Sequence, residues 1–292
     1  VLMLNAGIVE KTYYFGNPTI LPSGEFQLIH FENTLITGIT GEPALPYQSV
    51  QLLLLPGEKA VSIEFIGEEE IQLTGVYKIY PQQATRPLSA DGNGTFAMND
   101  LVYQTNANYP AIPTGQLITS YLNGYAFALS TFTPLRFNPV TGVVSVYKKV
   151  TIKVITEPAS QSVKALENLK SSGSIDKRVK SFSQNPEMVS EYPSASKSGD
   201  DYQLLIITPA QFVVNFQELI DVYLERGIKT QVVTRETINT SGTGQDLTEK
   251  VRNYIIQEYQ DHSVEYVLLG GDVEHVPYRG FYCYAQSGSG YE

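Results

Sequence analysis

The spacing of apolar residues changes once along this chain, near residue 200, and that change constrains the fold more than any motif. Before it, apolar runs are short and are closed by Gly, Pro or Asn. After it, near-continuous apolar runs alternate with stretches of helical spacing. A half-buried strand alternates every second residue, whereas an amphipathic helix repeats about every 3.6 residues. Two architectures are therefore expected in one chain. Its 292 residues agree with that, at roughly 100–200 residues per domain.

In the first part, Gln51–Leu55 ends at the turn Pro56-Gly57, and Val61, Ile63 and Phe65 alternate with Ser62 and Glu64 up to Gly67. Tyr125, Phe127 and Leu129 alternate with small residues. The turn Asn138-Pro139-Val140-Thr141-Gly142 introduces two further β-rich segments, Val143–Val146 and Val150–Ile155. Short strands at turn-bounded spacing predict an all-β, sandwich-like domain over residues 1–157. The 20 Tyr, 23 Gly and 16 Pro suit strands joined by many turns. Glu68-Glu69-Glu70 reads as a solvated acidic turn, with a calcium role as the alternative.

Between residues 158 and 200 large apolar residues thin out, Ser recurs, and Lys or Arg stands at 164, 170, 177, 178, 180 and 197. This composition predicts a flexible linker, with a short helix over 162–170 where Val163, Leu166 and Leu169 share a face. A basic tract of this kind is an accessible protease target.

From Asp201 the elements are longer. Tyr202–Ile207 predicts a buried strand. Thr208-Pro209-Ala210-Gln211 predicts a capped helix start, with Thr208 as N-cap, Pro209 at N1 and Gln211 closing the box. Phe212, Val213, Phe216, Leu219, Ile220, Tyr223 and Leu224 follow helical spacing up to the stop at Gly227. Ile228–Thr234 is a second strand, Asp246 with Glu249 caps a second helix, and Val264–Leu269 is a third strand. The order β-α-β-α-β with apolar strands predicts a parallel sheet over residues 201–292, about half of a doubly wound domain. The whole chain is thus read as multidomain α+β.

Composition removes several classes of function. A formal charge of −10 argues against a nucleic-acid partner. One Cys excludes a disulfide framework and a multi-thiolate zinc site. No apolar run is long enough to span a bilayer, and Val1–Leu4 is too short for a signal-peptide core, so a secreted form would have its signal elsewhere. No GxGxxG, P-loop, GxSxG or HExxH occurs.

Ligands of parallel sheets gather at the carboxyl ends of the strands, which singles out Thr208, Thr234–Glu236 and Gly270–His275. Gly271 lets the chain turn after the third strand, placing Asp272, Glu274 and His275 near the crevice. Asp272 either caps a loop through backbone N–H groups or takes part in a substrate or ion site. His275 reads as a surface or hydrogen-bonded residue beside a turn. Cys283 sits among aromatic residues and reads as an inert thiol rather than a nucleophile.

Two stretches also resemble a known family. Gly41-Glu42-Pro43-Ala44-Leu45-Pro46, the strand after it and Pro56-Gly57-Glu58 resemble the opening of the propeptide of gingipain-type cysteine peptidases, family C25. Tyr125–Ile155 is similar to the end of that propeptide. Leu204–Pro209, Val232–Thr234, Val251–Tyr259 and Tyr266–Pro277 resemble the start of its catalytic domain.

The resemblance implies a bacterial zymogen, secreted or held at the cell surface or outer membrane, with a caspase-like α/β peptidase domain. Its His–Cys dyad would lie after later strands, beyond Glu292, so neither residue maps onto this chain and Cys283 stands too early. The chemistry needs no cofactor, though structural calcium is possible. The expected partners are the remainder of the catalytic domain and peptide substrates. The propeptide would inhibit and assist folding through a loop that plugs the specificity pocket, for which Arg86 and Asn123 are candidates. Lys177, Arg178 and Lys180 are candidate processing sites, or solvated linker charge. The tract Ser287–Gly290 reads as a further cleavable segment. The alternatives are a non-catalytic surface or secretion-system protein acting as a binding module, and a carbohydrate-binding sandwich attached to an α/β domain.

Overall fold

The computed structural model describes residues 7–86, 94–170, 172–193, 201–262 and 264–280, and the backbone of 286–287 and 290–291. The chain divides into two compact units at Ser194/Ala195. The first runs through strands β1 (Gly7–Tyr14), β2 (Thr19–Ser23), β3 (Phe26–His30), β4 (Leu35–Thr37), β5 (Leu45–Leu53) and β6 (Glu58–Gln72), then a single helical turn α1 (Asp100–Tyr103). It continues through β7 (Ile118–Leu122), β8 (Tyr125–Phe132), β9 (Leu135–Asn138) and β10 (Val143–Pro158) to helices α2 (Ser160–Glu167) and α3 (Gly173–Phe182) and a 3₁₀ turn at Pro186–Glu191.

Two antiparallel sheets make the sandwich. One has the order β1-β10-β6, with β9 also on β10, and the other β4-β5-β8-β7. The two β-rich segments expected after Gly142 are one strand, β10, long enough to pair with β9 first and β1 afterwards. Glu68-Glu69-Glu70 lies within β6 rather than in a turn, with Glu68 opposite Lys149 and paired to it at 2.8 Å. A cross-strand ion pair on a solvated face explains the charge there.

The second sheet is covered on both faces. Val50, Leu52, Leu54, Ala126 and Ala128 face the first sheet in one core. Leu53, Tyr125 and Phe127 face the opposite way and pack with Leu169, Ile175, Val179 and Tyr192. The segment expected as a linker therefore folds, up to Tyr192, as a helical layer on the β unit. Its few large residues suffice because each meets an aromatic or Leu already fixed on the sheet.

This layer also closes a sheet edge. β5 pairs with β8 through one set of backbone groups, while Ser49, Gln51 and Leu53 point the other way. Gln184 exchanges two bonds with the backbone of Gln51, through its own N–H and its side-chain Oε1, both 2.9 Å. Asn185, 2 % exposed, does the same for Leu53 with its side-chain amide. The Tyr192 hydroxyl accepts from Ala126 N–H at 3.1 Å and donates to Leu54 O at 3.0 Å. An edge left bare would be a template for foreign strands.

The second unit runs β11 (Leu204–Thr208), a 3₁₀ turn at Ala210–Phe216, α4 (Gln217–Glu225), β12 (Thr230–Thr234), α5 (Arg235–Ser241), α6 (Leu247–Asp261) and β13 (Tyr266–Leu269). Two-residue strands at Gln286–Ser287 and Gly290–Tyr291 pair with each other. The sheet order is β12-β11-β13, all parallel. Leu205, Ile207, Val233, Ile238, Val251 and Val264 form its core. Gly227 ends α4 with φ 78°, and Asp246 caps α6 by accepting Glu249 N–H at 2.9 Å.

The expected capping box at Thr208 does not form. The turn after β11 begins in 3₁₀ geometry without a side-chain cap, and the Thr208 hydroxyl, fully buried, donates to Gly270 O at 2.7 Å instead. A buried hydroxyl takes the acceptor nearest to it, and here that is a carbonyl of the neighbouring loop.

Candidate functional site

In the α/β unit the chain leaves β11 for β12 on one side and returns to β13 on the other. That reversal, at the carboxyl ends of β11 and β13, is the position at which open parallel sheets gather their ligands. Gly270 crosses Thr208 so closely that a Cβ there would stand 2.5 Å from the Phe216 ring. Gly271 has φ 141°, and a Cβ would meet His275 Cβ at 2.6 Å. Both positions are closed to larger residues.

The next residues fold into a tight polar turn. Asp272 Oδ1 accepts Glu274 N–H at 3.0 Å and His275 N–H at 3.3 Å, and lies 2.6 Å from His275 Nδ1. The His275 bond, followed by the backbone bond from Glu274, holds the Asp272 carboxyl below its ordinary value. The His275 ring leans on Phe212, centroids 4.9 Å apart. Asp272 thus buttresses its own loop, and the turn gathers Gly271, Asp272, Glu274 and His275 at one strand end.

The residues that tie this end together stand at the start of α5, where sequence reading marked a strand end and assigned no role. Arg235 Nη1 donates to Glu274 O at 3.0 Å and His275 O at 2.7 Å, while its Nε donates to Glu236 Oε1 at 3.0 Å. Glu236 Oε2 accepts Ala210 N–H at 3.0 Å. One Arg–Glu pair after β12 therefore holds the loops after both β11 and β13. The signal for it was positional only. Among the described residues no three of His, Cys, Asp and Glu come together as metal ligands.

In the β unit, Asn123 and Gly124 form the tight turn between β7 and β8, with φ 52° and 91°. Asn-Gly supplies the left-handed pair that such a hairpin needs. The turn is tucked under α2. Asn123 O accepts Lys170 N–H at 3.2 Å, and a Cβ on Gly124 would lie 2.5 Å from Leu169 Cα. The structure places Asn123 in a packed corner, not on a projecting loop.

Arg86 is exposed beyond a fastened neck. The Gln83 side-chain amide accepts Ala97 N–H at 2.8 Å and donates to Ala97 O at 2.9 Å. Gly41 N–H donates to Gln82 O, Gln82 N–H to Glu42 O and Asn99 N–H to Gly41 O, at 2.7, 2.8 and 2.7 Å. The Gly41-Glu42 segment is thus threaded between both arms of the neck. Gly41 has φ 85°, and a Cβ would crowd Asn99 N at 3.2 Å, so glycine belongs there. Sequence reading found this motif without its role.

Lys177, Arg178 and Lys180 lie on α3, whose Ile175 and Val179 are buried against the sheet. A peptidase binds extended chain, so cutting there requires α3 to come off. Cys283, and Gly288 and Ser289 of the Ser287–Gly290 tract, lie outside the described residues.

A β unit of two antiparallel sheets thus precedes a parallel α/β unit in one chain. Residues 19–182 match the family model Propeptide_C25, and residues 197–291 match Peptidase family C25. The first match alone covers more than half of the chain, and the chain belongs to peptidase family C25, as a propeptide followed by the N-terminal part of a catalytic domain.

Gingipain R1 of Porphyromonas gingivalis is 22 % identical over 262 residues, 88 % of this chain and 25 % of its own length. Gingipain R2 of strain W83 is 26 % identical over 149 residues, 50 % of this chain and 19 % of its own. This chain spans a quarter or less of these relatives. A solved complex of Porphyromonas gingivalis RgpB pro- and mature domains aligns at TM-score 0.49 and 17 % identity, over 62 % of this chain and 93 % of that one. Matches to a propeptide and a peptidase set aside both the binding-module and the carbohydrate-binding alternatives.

Proposed function

We propose that the β unit keeps a cysteine endopeptidase latent and assists its folding, and that the α/β unit is the first half of its caspase-like domain. The observation that carries this is the order of the two family matches along one chain, propeptide first. β13 supports it: Tyr266, Val267 and Leu269 are 47, 39 and 48 % exposed on an edge strand, as suits a parallel sheet continued by further strands. The remainder of the catalytic domain is the partner that would cover them. Thiolate attack by a His-activated Cys supplied there would perform acyl transfer on peptide substrates.

Arg86 is the inhibitory-loop residue favoured by its exposure beyond the Gln83 neck, whereas Asn123 faces its own domain. Lys177, Arg178 and Lys180 are processing candidates for a state in which α3 has detached. A secreted or cell-surface location follows from this reading, and no helix among the described residues is long and apolar enough to cross a membrane. Titration of the chain into mature Gingipain R1 tests the reading. Saturable inhibition is expected, and its absence overturns the inhibitory role.

A further inference from the structure

The β4-β5-β8-β7 sheet meets its surroundings differently at its two ends. Along β5, Gln184 and Asn185 take up the outward backbone groups of Gln51 and Leu53. Nothing comparable covers β7. The two-residue turn Asn123-Gly124 makes Leu122 and Tyr125 a hydrogen-bonded pair, and such pairs alternate along the ladder. Ser120 and Leu122 therefore bond to β8, while the N–H and C=O groups of Thr119 and Tyr121 point away from it. None of these outward groups has a hydrogen-bond partner among the described residues. The side chains of both residues are fastened. Thr119 Oγ1 accepts Ala60 N–H, and the Tyr121 hydroxyl is bonded to Ser162 Oγ, both at 2.9 Å. The bare edge is thus held in place, which lowers the ordering cost of pairing with it.

An apolar groove of about 470 Å³ runs beside this edge, between β7 and α3. Its floor is firm, because Phe127 is buried and meets Phe182 edge to face with centroids 5.2 Å apart. Ser120 stands opposite Phe127, on the same face as Ile118 and Leu122. Being the small residue of the three, it leaves the hollow open towards the edge. Leu129 and Phe182 form apolar walls. Half-buried Arg178 supplies the one charge among the lining residues.

We propose that β7 and this groove take an extended, acidic segment of a partner polypeptide as an added strand. Its backbone pairs with Thr119 and Tyr121, as in strand addition to an exposed sheet edge. Its alternate side chains then rise on the groove face. A large apolar one lies across Ser120 onto Phe127 and Phe182, and a carboxylate two residues away meets Arg178. Charge complementarity selects this occupant, since a basic segment would be repelled by Arg178. A small apolar ligand would fill the hollow and leave the edge groups of Thr119 and Tyr121 unpaired. The site lies wholly within the β unit and is independent of the Arg86 loop.

The test uses the full chain and, as probe, the acetylated and amidated peptide Thr-Val-Thr-Phe-Thr-Glu-Thr, which places Val, Phe and Glu on one face. Saturable binding by calorimetry is expected, with slowed amide hydrogen exchange at 119 and 121. R178Q in the chain, or Gln for Glu in the peptide, should each weaken binding about tenfold, and the two together little further. An N-methylated copy of the peptide keeps the side chains, loses the backbone donors and should not bind. Absence of saturable binding, or equal binding of the N-methylated copy, overturns strand addition. Exchange at 119 and 121 that the bound peptide leaves unchanged places it elsewhere and overturns the site. Indifference to both the R178Q and the Gln replacements overturns the acidic partner. If the chain alone forms a dimer in sedimentation and that dimer excludes the peptide, a second copy is the occupant and the proposal falls.

Discussion

The side-chain amide of Asn185 pairs with both backbone polar groups of Leu53, accepting its N–H at 2.8 Å and donating to its carbonyl at 3.0 Å. A side chain here stands in for a neighbouring strand, and Ser183 completes the arrangement by donating to Asn185 Oδ1 at 2.8 Å. The helical layer is held to the sheet by this pairing as much as by apolar contact. N185A would strand two buried groups of Leu53, each costing about 1–3 kcal/mol. A fall of about 2–4 kcal/mol in the unfolding free energy from urea titration is expected. A loss below about 0.5 kcal/mol would show that water replaces the amide without penalty.

Anchoring of α3 predicts its resistance to proteolysis. Val179 is fully buried, and V179A should cost about 1–2 kcal/mol, at the low end for buried truncations because few atoms are removed. Brief trypsin treatment should spare Lys177, Arg178 and Lys180 in the wild type and cut them several-fold faster in V179A, since cleavage follows local opening. Equal cutting in both would mean that α3 is open regardless of its anchor.

Tyr192 predicts an alkaline limit to the β unit. Burial pushes its phenol up to about 12. The folded state then holds a proton that the unfolded chain releases from pH ~10, so this stabilisation is complete below pH 10 and declines as pH rises towards 12. A shift of that size corresponds to a loss on the order of 2–3 kcal/mol across the window. Y192F should be less stable at neutral pH, having lost its bonds to Ala126 and Leu54, yet fall less steeply above pH 10. Chemical denaturation at stepped pH reads both slopes.

At the other extreme, Asp246 and Asp272 titrate low in the α/β unit, Asp246 chiefly through the Glu249 backbone N–H and Asp272 chiefly through His275. Their carboxylates are preferred in the folded state, so the contribution is present above pH ~4 and is lost as pH falls through the lowered values. D246N should flatten the acid branch of a melting-temperature profile, and an unchanged branch would assign acid sensitivity to other groups.

Arg235 predicts coupling between two loops. R235M keeps the aliphatic stem and removes the donors to Glu274 and His275. Amide hydrogen exchange should quicken at 272–276, and at 210–211 through the released Glu236, with residues 45–54 unchanged. Exchange confined to 272–276 would show that Glu236 holds its side alone.

Much of the fold was legible because it is written in neighbouring residues. An apolar run closed by Pro56-Gly57 marked the end of β5, alternation marked β6 and β8, the Asn138–Gly142 turn introduced β10, and Asp246 with Gly227 bounded the helices of the α/β unit. The polar turn at Asp272 was legible as a position after a strand, but its partner Arg235 was not, being joined to it across 39 and 40 residues. Thr208 was misplaced for the same reason. Its hydroxyl had a good local use as a cap, and a carbonyl 62 residues away took it.

The sequence by itself determined two architectures in order, the strands and turns of each, and a family resemblance spread across both. Only the tertiary structure decided that residues 158–193 belong to the β unit, that Gln83 fastens the Arg86 loop, and that Asn123 is packed away. Periodicity reports which residues want burial, not what they will meet. Leu169, Ile175, Val179 and Tyr192 are too few to declare a helix face by themselves. Against Leu53, Tyr125 and Phe127 they close the layer, because those residues point out of a sheet whose other face is already filled.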